Sequence, residues 1–164
     1  MSTLSSLRIR LSTREEATEC RNIIHTAYEP GRKLLSRDPK VLLKSEEEFV
    51  KLANQGRLYV ILWEEELIGT FKLTLESGPA VLQAFTILPT FQNRGSGSIV
   101  LNWIEIFAQN NSFDKIQLET YQEWNRTNKF YHERGYQQVA SFTKENENIL
   151  VWEKLLSSSQ TNEL

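Results

Sequence analysis

The sequence predicts a mixed α+β fold in which a mostly antiparallel sheet is flanked by helices. Three observations lead there. The 164 residues approach one domain of about 150, and 40% hydrophobic with 24% charged residues is a globular balance that supports a single core. The middle of the chain holds apolar runs separated only by short turns, as antiparallel neighbours require. The second half alternates strand, helix and strand, the pattern of a crossover connection. The predicted order is β-α-α-β-β-β-α-β-α-β-β, with one domain over residues 7–155 and a polar tail at 156–164.

Residues 7–11, Leu-Arg-Ile-Arg-Leu, alternate and read as a first strand. Thr13-Arg14-Glu15-Glu16 is a capping box that opens a helix. Ala17, Cys20, Ile24, Ala27 and Tyr28 then share one helical face, and Pro30-Gly31 is expected to stop it. The proline-bounded stretch 30–39 reads as a loop. Ser45-Glu46-Glu47-Glu48 opens a shorter helix through Asn54. Strands follow at 58–63, 67–75 and 81–88, the last stopped by Pro89. A helix begins near Gly97, with Val100, Trp103, Ile104, Phe107 and Ala108 along one side. Residues 115–121 read as a strand and 125–134 as a helix closed by Gly135. Two short strands, 139–142 and 149–152, end the fold, joined through polar residues 144–148.

Composition excludes several function classes. Nineteen Lys and Arg against 21 Asp and Glu give a net charge of −2, no footprint for nucleic acid or a membrane surface. A single cysteine, Cys20, excludes an intrachain disulfide, and two histidines, His25 and His132, make a histidine-rich metal site improbable. His25, near an apolar helix face, reads as a satisfied, partly buried histidine, His132 as a solvated position, and Cys20 as core. No run approaches the roughly 18–20 apolar residues of a membrane span, and residues 1–7 lack a signal-peptide core. A soluble, cytoplasmic protein without a metal is expected.

The chemistry lies in residues 87–98, Ile-Leu-Pro-Thr-Phe-Gln-Asn-Arg-Gly-Ser-Gly-Ser. A strand ends, a turn follows, and glycines open a helix. Backbone N–H groups at a helix start are unpaired and partly positive, glycine lets the backbone close on a ligand, and phosphate suits such a place. A phosphate-binding P-loop needs a lysine after the last glycine, which is absent, and a dinucleotide fingerprint needs a third glycine where Val100 stands. What remains is Gln-x-x-Gly-x-Gly, at Gln92, Gly95 and Gly97.

This pattern resembles the pyrophosphate loop of the GNAT family of acyl-CoA-dependent N-acyltransferases, which follows a strand ending in aliphatic-x-Pro, here Ile87-Leu88-Pro89. A second family signature, Tyr-x-x-x-Gly-aromatic, matches Tyr131 to Tyr136, with Thr127 as the small residue four before the tyrosine. The family's usual asparagine falls on Trp124, leaving Asn125 or Asn128 to replace it. Glu119 stands where many members carry a glutamate. The resemblance follows the element order over 7–155 and is specific over 81–136.

The resemblance implies a GNAT-like fold with an opening between strands 81–88 and 115–121, pantetheine beside Phe85, Thr86 and Ile87, and pyrophosphate on Asn93, Arg94, Gly95, Ser96, Gly97 and Ser98. It implies N-acetyl transfer from acetyl-CoA by direct attack of a primary amine on the thioester. Glu119 is the base, directly or through water, a backbone N–H near Ile87 receives the developing oxyanion, and Tyr131 protonates the departing thiolate. The acceptor is a small-molecule amine or a peptide or protein amine, and a homodimer is compatible with the resemblance. Residues 30–44 hold five cations against Asp38 alone. A solvated loop is the plain interpretation, but bordering the acceptor site it disfavours strongly cationic acceptors. The alternatives are a non-catalytic acyl-CoA-binding regulatory or interaction module, and an unrelated domain binding ATP or NAD. For single residues they are a core aromatic at Tyr131 and a sheet-face carboxylate at Glu119.

Overall fold

A computed structural model describes residues 6–156. Its elements are β1 (Leu7–Leu11), α1 (Ala17–Arg32), α2 (Glu46–Asn54), β2 (Leu58–Trp63), β3 (Glu66–Thr74), β4 (Ala80–Ile87), α3 (Ser96–Asn110), β5 (Lys115–Tyr121), α4 (Asn125–Glu133), β6 (Gln137–Lys144) and β7 (Glu147–Leu155). Residues 157–164, most of the expected tail, lie outside the described residues.

The seven strands form one sheet in the order β1-β2-β3-β4-β5-β7-β6, antiparallel except at β4–β5. The continuous apolar run of β2 is buried on both faces. Leu58, Val60 and Leu62 pack with Ala17, Cys20, Ile24 and Phe49 from α1 and α2. Tyr59 and Ile61 join the opposite core with Val100 and Ile104 of α3. In β5, Ile116 and Leu118 belong to this second core, so by alternation Gln117, Glu119 and Tyr121 face the α1 side.

Both capping boxes form. Thr13 and Glu16 bond reciprocally ahead of a 3₁₀ turn that feeds α1, and Ser45 and Glu48 do the same for α2. Glu16 also takes two bonds from the Arg10 guanidinium, at 2.9 and 2.8 Å; Arg10 and the cap hold this carboxyl down to about 2.

Two expected boundaries are corrected. Helix α1 continues through Pro30 and Gly31 to Arg32, so the loop proper is only 33–39. Proline in a last turn forfeits one hydrogen bond without blocking the residues that follow. Gly31 is not the left-handed cap: a Cβ there would lie 2.9 Å from the Trp124 ring, so glycine answers a close approach. The final strands are longer than expected and meet in a tight turn at Glu145-Asn146, where both residues have positive φ (53° and 70°). Such a turn matches strand twist, but Glu-Asn is a weak signal for it, and β6 is exposed throughout, so no burial alternation marks its length.

The strand β4 carries the feature that positions the site. Thr70 pairs with Thr86, and Lys72 with Gln83, so Ala84 and Phe85 together oppose Phe71. This is a β-bulge, and Ala84 takes φ of 54° within it. The parallel pairing of β4 to β5 is confined to Ala80–Ile116 and Val81–Gln117. Beyond that the two strands part, while β5 stays paired with β7 along its length.

Candidate active site

Where β4 and β5 part, a cavity of about 760 Å³ opens. Its walls include Phe85, Thr86 and Ile87 from β4, Gln117 to Tyr121 from β5, and Trp124, Asn125 and Tyr131 from α4 and the turn before it. Leu88 N–H donates to Ile68 O across β3 at 2.8 Å. Because donors alternate along an antiparallel ladder, the Ile87 N–H turns away from β3, toward the opening.

Tyr131 is almost fully buried. Burial, and secondarily Tyr28, raise its phenol well above the ordinary value. Tyr28 comes from α1, and burial pushes its phenol up to about 12, with Thr86 offsetting part of the rise. Tyr121 is raised as well, by burial first. Trp124 packs edge-on against Tyr28 and Tyr121, with centroids at 5.2 and 4.9 Å. Three phenols that stay protonated at neutral pH therefore surround the opening. Tyr28, Tyr121 and Trp124 were missed in the sequence. Tyr28 fits the apolar stripe of α1, and nothing local marks it as lining a cavity.

Glu119 is exposed on the α1-side face of β5, also on the cavity wall. Tyr131 comes from the helix on the other face, so the two candidate proton carriers reach the opening from opposite sides of the sheet.

Gln92 lines the cavity, and the start of α3 follows it in the chain. Gln92 Nε2 donates to Ile87 O at 2.7 Å, tying the loop to the strand end. Asn93 and Gly95 both have positive φ (63° and 80°), and no side chain caps the first turn of α3. Its free N–H groups, at Ser96, Gly97 and Ser98, form an anion cradle. Arg94 lies over the Phe91 ring at 5.6 Å, and Arg126 bonds Asn93 across from α4. Asn93 to Ser98 lie beyond the cavity walls themselves.

Three candidate binding residues have other engagements. A Cβ at Gly97 would meet the Phe130 ring at 3.2 Å, so this glycine serves α3–α4 packing, whereas Gly95 faces open space and is fixed by its φ. Ser98 Oγ accepts from Arg134 Nε at 2.7 Å. Asn128 accepts from Thr120 Oγ1 and donates to the Tyr121 and Gln122 carbonyls at 3.2 Å, holding the β5–α4 turn. It does not line the cavity; Asn125 does. Trp124, at the family's asparagine position, donates from Nε1 to Gly31 O at 2.9 Å.

The acceptor-side wall is tied down from afar. Glu147, at the start of β7, is buried and accepts from Ser36 N and Oγ, each at 2.6 Å, and from Arg37 N at 3.0 Å. The Ser36 hydroxyl, then these backbone donors, hold its carboxyl below the usual range. His132 is exposed and Cys20 buried, as expected. His25 departs from expectation, because its buried Nε2 has no partner.

Comparison with known proteins adds the family. The acetyltransferase (GNAT) family model matches residues 17–136. No curated relative matches the chain. Among similar solved structures is a PaiA N-acetyltransferase of Thermoplasma acidophilum in complex with coenzyme A, with TM-score 0.77, 14% identity, and 92% of this chain and 99% of that chain covered. The ribosomal-protein-S18-alanine N-acetyltransferase of Escherichia coli has TM-score 0.72 and 14% identity, covering 92% and 94%. A spermidine N-acetyltransferase chimera of Vibrio cholerae has TM-score 0.74 and 20% identity, covering 94% and 98%. At these identities the likeness is one of fold.

Proposed function

The chain belongs to the acetyltransferase (GNAT) family, and from that premise we propose that it moves an acetyl group from acetyl-CoA to a primary amine by direct attack on the thioester. The observation that carries this reading is the parting of β4 from β5 at the bulge, with Tyr131 beneath the gap and the uncapped start of α3 at its end. The site fits the cosubstrate. The β4 edge along 85–87, which does not pair with β5, suits the amides of pantetheine, and the cradle at 93–98 suits a pyrophosphate. A neighbouring fold holds coenzyme A, and two others are named for amine acetylation.

Acetyl-CoA supplies the activated acyl group. An amine with pKa near 10.4 arrives protonated at neutral pH, so a base is needed, and Glu119 on the acceptor side takes the proton, directly or through water. The Ile87 N–H is aimed at the opening and stabilises negative charge developing on the acyl oxygen. Tyr131, kept protonated by burial, donates to the departing sulfur. Because its phenol is a weaker acid than usual, its contribution is a held hydrogen bond with late proton transfer.

The test is release of CoA from acetyl-CoA across a panel of amines, with calorimetric binding of CoA on the same preparation. Turnover that depends on the amine supports the reading. CoA binding with no turnover on any amine makes the chain a non-catalytic acyl-CoA-binding module, and preference for ATP or NAD over CoA removes both.

A further inference from the structure

The charge lining the cavity opposes the charge of the chain. The protein carries a formal −2, yet Arg37, Lys40, Lys44, Lys72 and Lys144 all line the cavity. They come from separate places: the segments between α1 and α2, β3 beside the bulge, and the end of β6. The four lysines also act on one another. Lys144 is the main cause that lowers the Lys40 ammonium, with Lys44 adding to it. Burial, then Lys44, lowers Lys72. Among the described residues none of the five forms an ion pair with a carboxylate.

The acids on the same wall neutralise them only in part. Asp38 is engaged by Arg32 Nε and Nη2, both at 3.0 Å. Glu147 keeps its charge, held by Ser36 and the Arg37 N–H, and attracts the Arg37 guanidinium. Glu145 attracts Lys40, and Glu119, on β5, acts on Tyr121 together with Glu145 and Glu147. With Arg126 the wall holds six cations against four carboxylates, and a concave wall with such an excess focuses its potential on an anion.

We infer that the acceptor is a small acidic amine, whose primary amine reaches the β4 bulge on the Glu119 side while a carboxylate or phosphate on the same molecule pairs with the cations around Lys40, Lys44, Lys72 and Lys144. This rests on the transferase reading above and adds the acceptor's charge to it. The wall is complementary to a dipolar molecule: Glu119 faces the ammonium end and the lysines the anionic end. A polyamine puts a second positive charge against the lysines and is rejected.

Calorimetry on the CoA-bound protein tests this with matched ligands. Aminobutyrate, butylamine and putrescine present a carboxylate, a methyl group and an ammonium on similar chains; phosphoethanolamine is set against ethanolamine. At least one ligand bearing the acidic group should bind about 10-fold or more tighter than its counterpart without that group, with the gain shrinking as salt rises. The larger gain tells carboxylate from phosphate. Lys72→Gln and Lys144→Gln should each remove several-fold of that gain, and relief of repulsion should leave their melting temperatures undiminished. Equal binding of ligands with and without the acidic group, preference for putrescine, or no binding of aminobutyrate or phosphoethanolamine up to about 10 mM overturns the inference. CoA release is read with the same ligands. Anion preference without turnover overturns the transferase reading alone, and turnover without anion preference overturns this inference alone.

Discussion

The Trp124 indole donates to the Gly31 carbonyl at 2.9 Å, and the same ring fills the space a Cβ at residue 31 would take. One contact thus fixes the end of α1 to the turn that starts α4, 93 residues away. Alanine is ordinarily about 1 kcal/mol better than glycine inside a helix. Here Gly31→Ala should instead lower stability by about 1 kcal/mol, because a packed ring must move. In a Trp124→Leu background the same change should be neutral or stabilising. Denaturant melts of the four proteins of this cycle give the sign directly.

The two loop glycines should separate. Gly95→Ala forces a side chain into φ of 80°, at a cost of roughly 1 kcal/mol or more, and should weaken CoA binding by deforming the cradle. Gly97→Ala should act through Phe130, shifting α3 against α4, with a smaller effect on CoA affinity. Calorimetry with CoA on both variants checks the order; a larger affinity loss at Gly97 would reverse the assignment.

Tyr131→Phe keeps the ring in its core and removes the donor. A kcat loss of about 10-fold or more is expected, with CoA affinity and melting temperature little changed. If Tyr131 is only a core aromatic, the variant loses stability and keeps its turnover.

Glu119→Gln should lower kcat/KM at neutral pH, and the loss should shrink at high pH, where the acceptor is already deprotonated. A loss equal at all pH values would mark Glu119 as a sheet-face carboxylate with no part in proton transfer.

Glu147→Gln tests the tie between β7 and the acceptor-side wall. The folded pKa of Glu147 is depressed. Its stabilisation is therefore fully present above the unfolded value, about 4.3, and is lost as pH falls through the lower folded value. The variant should melt below the wild type at pH 7, and the two should converge in acid. Its KM for the acceptor should rise more than its kcat falls, because residues 36–37 lose their anchor.

Much of the fold was legible because its signals were local. Thr13 with Glu16, Ser45 with Glu48, and Gly135 at φ of 90° act within a few residues. What escaped is decided by distant neighbours. Pro30-Gly31 looks like a stop until Trp124 is beside it. Ala84 at positive φ carries no sequence mark, since the bulge is imposed by its pairing with β3. For the candidate site, the loop, Tyr131 and the cations of residues 30–44 could be picked out in the sequence, but Tyr28, Lys72 and Lys144 could not. They gather only when the strands, the α1–α2 connection and the β6–β7 hairpin meet.

The brief pairing of β4 with β5 also has a mechanical side. The sheet is in effect two ribbons, β1 to β4 and β5 with β7 and β6, joined by a short seam at Ala80–Ile116 and Val81–Gln117. Leverage about such a seam grows along the strands, so small twists there translate into larger changes in gap width at Ile87 and Tyr121. Whatever lies in the gap and bonds to both edges splices the ribbons together. Stiffness across the middle of the protein then depends on occupancy, and the backbone amides on either lip should exchange with solvent far more slowly once the gap is filled.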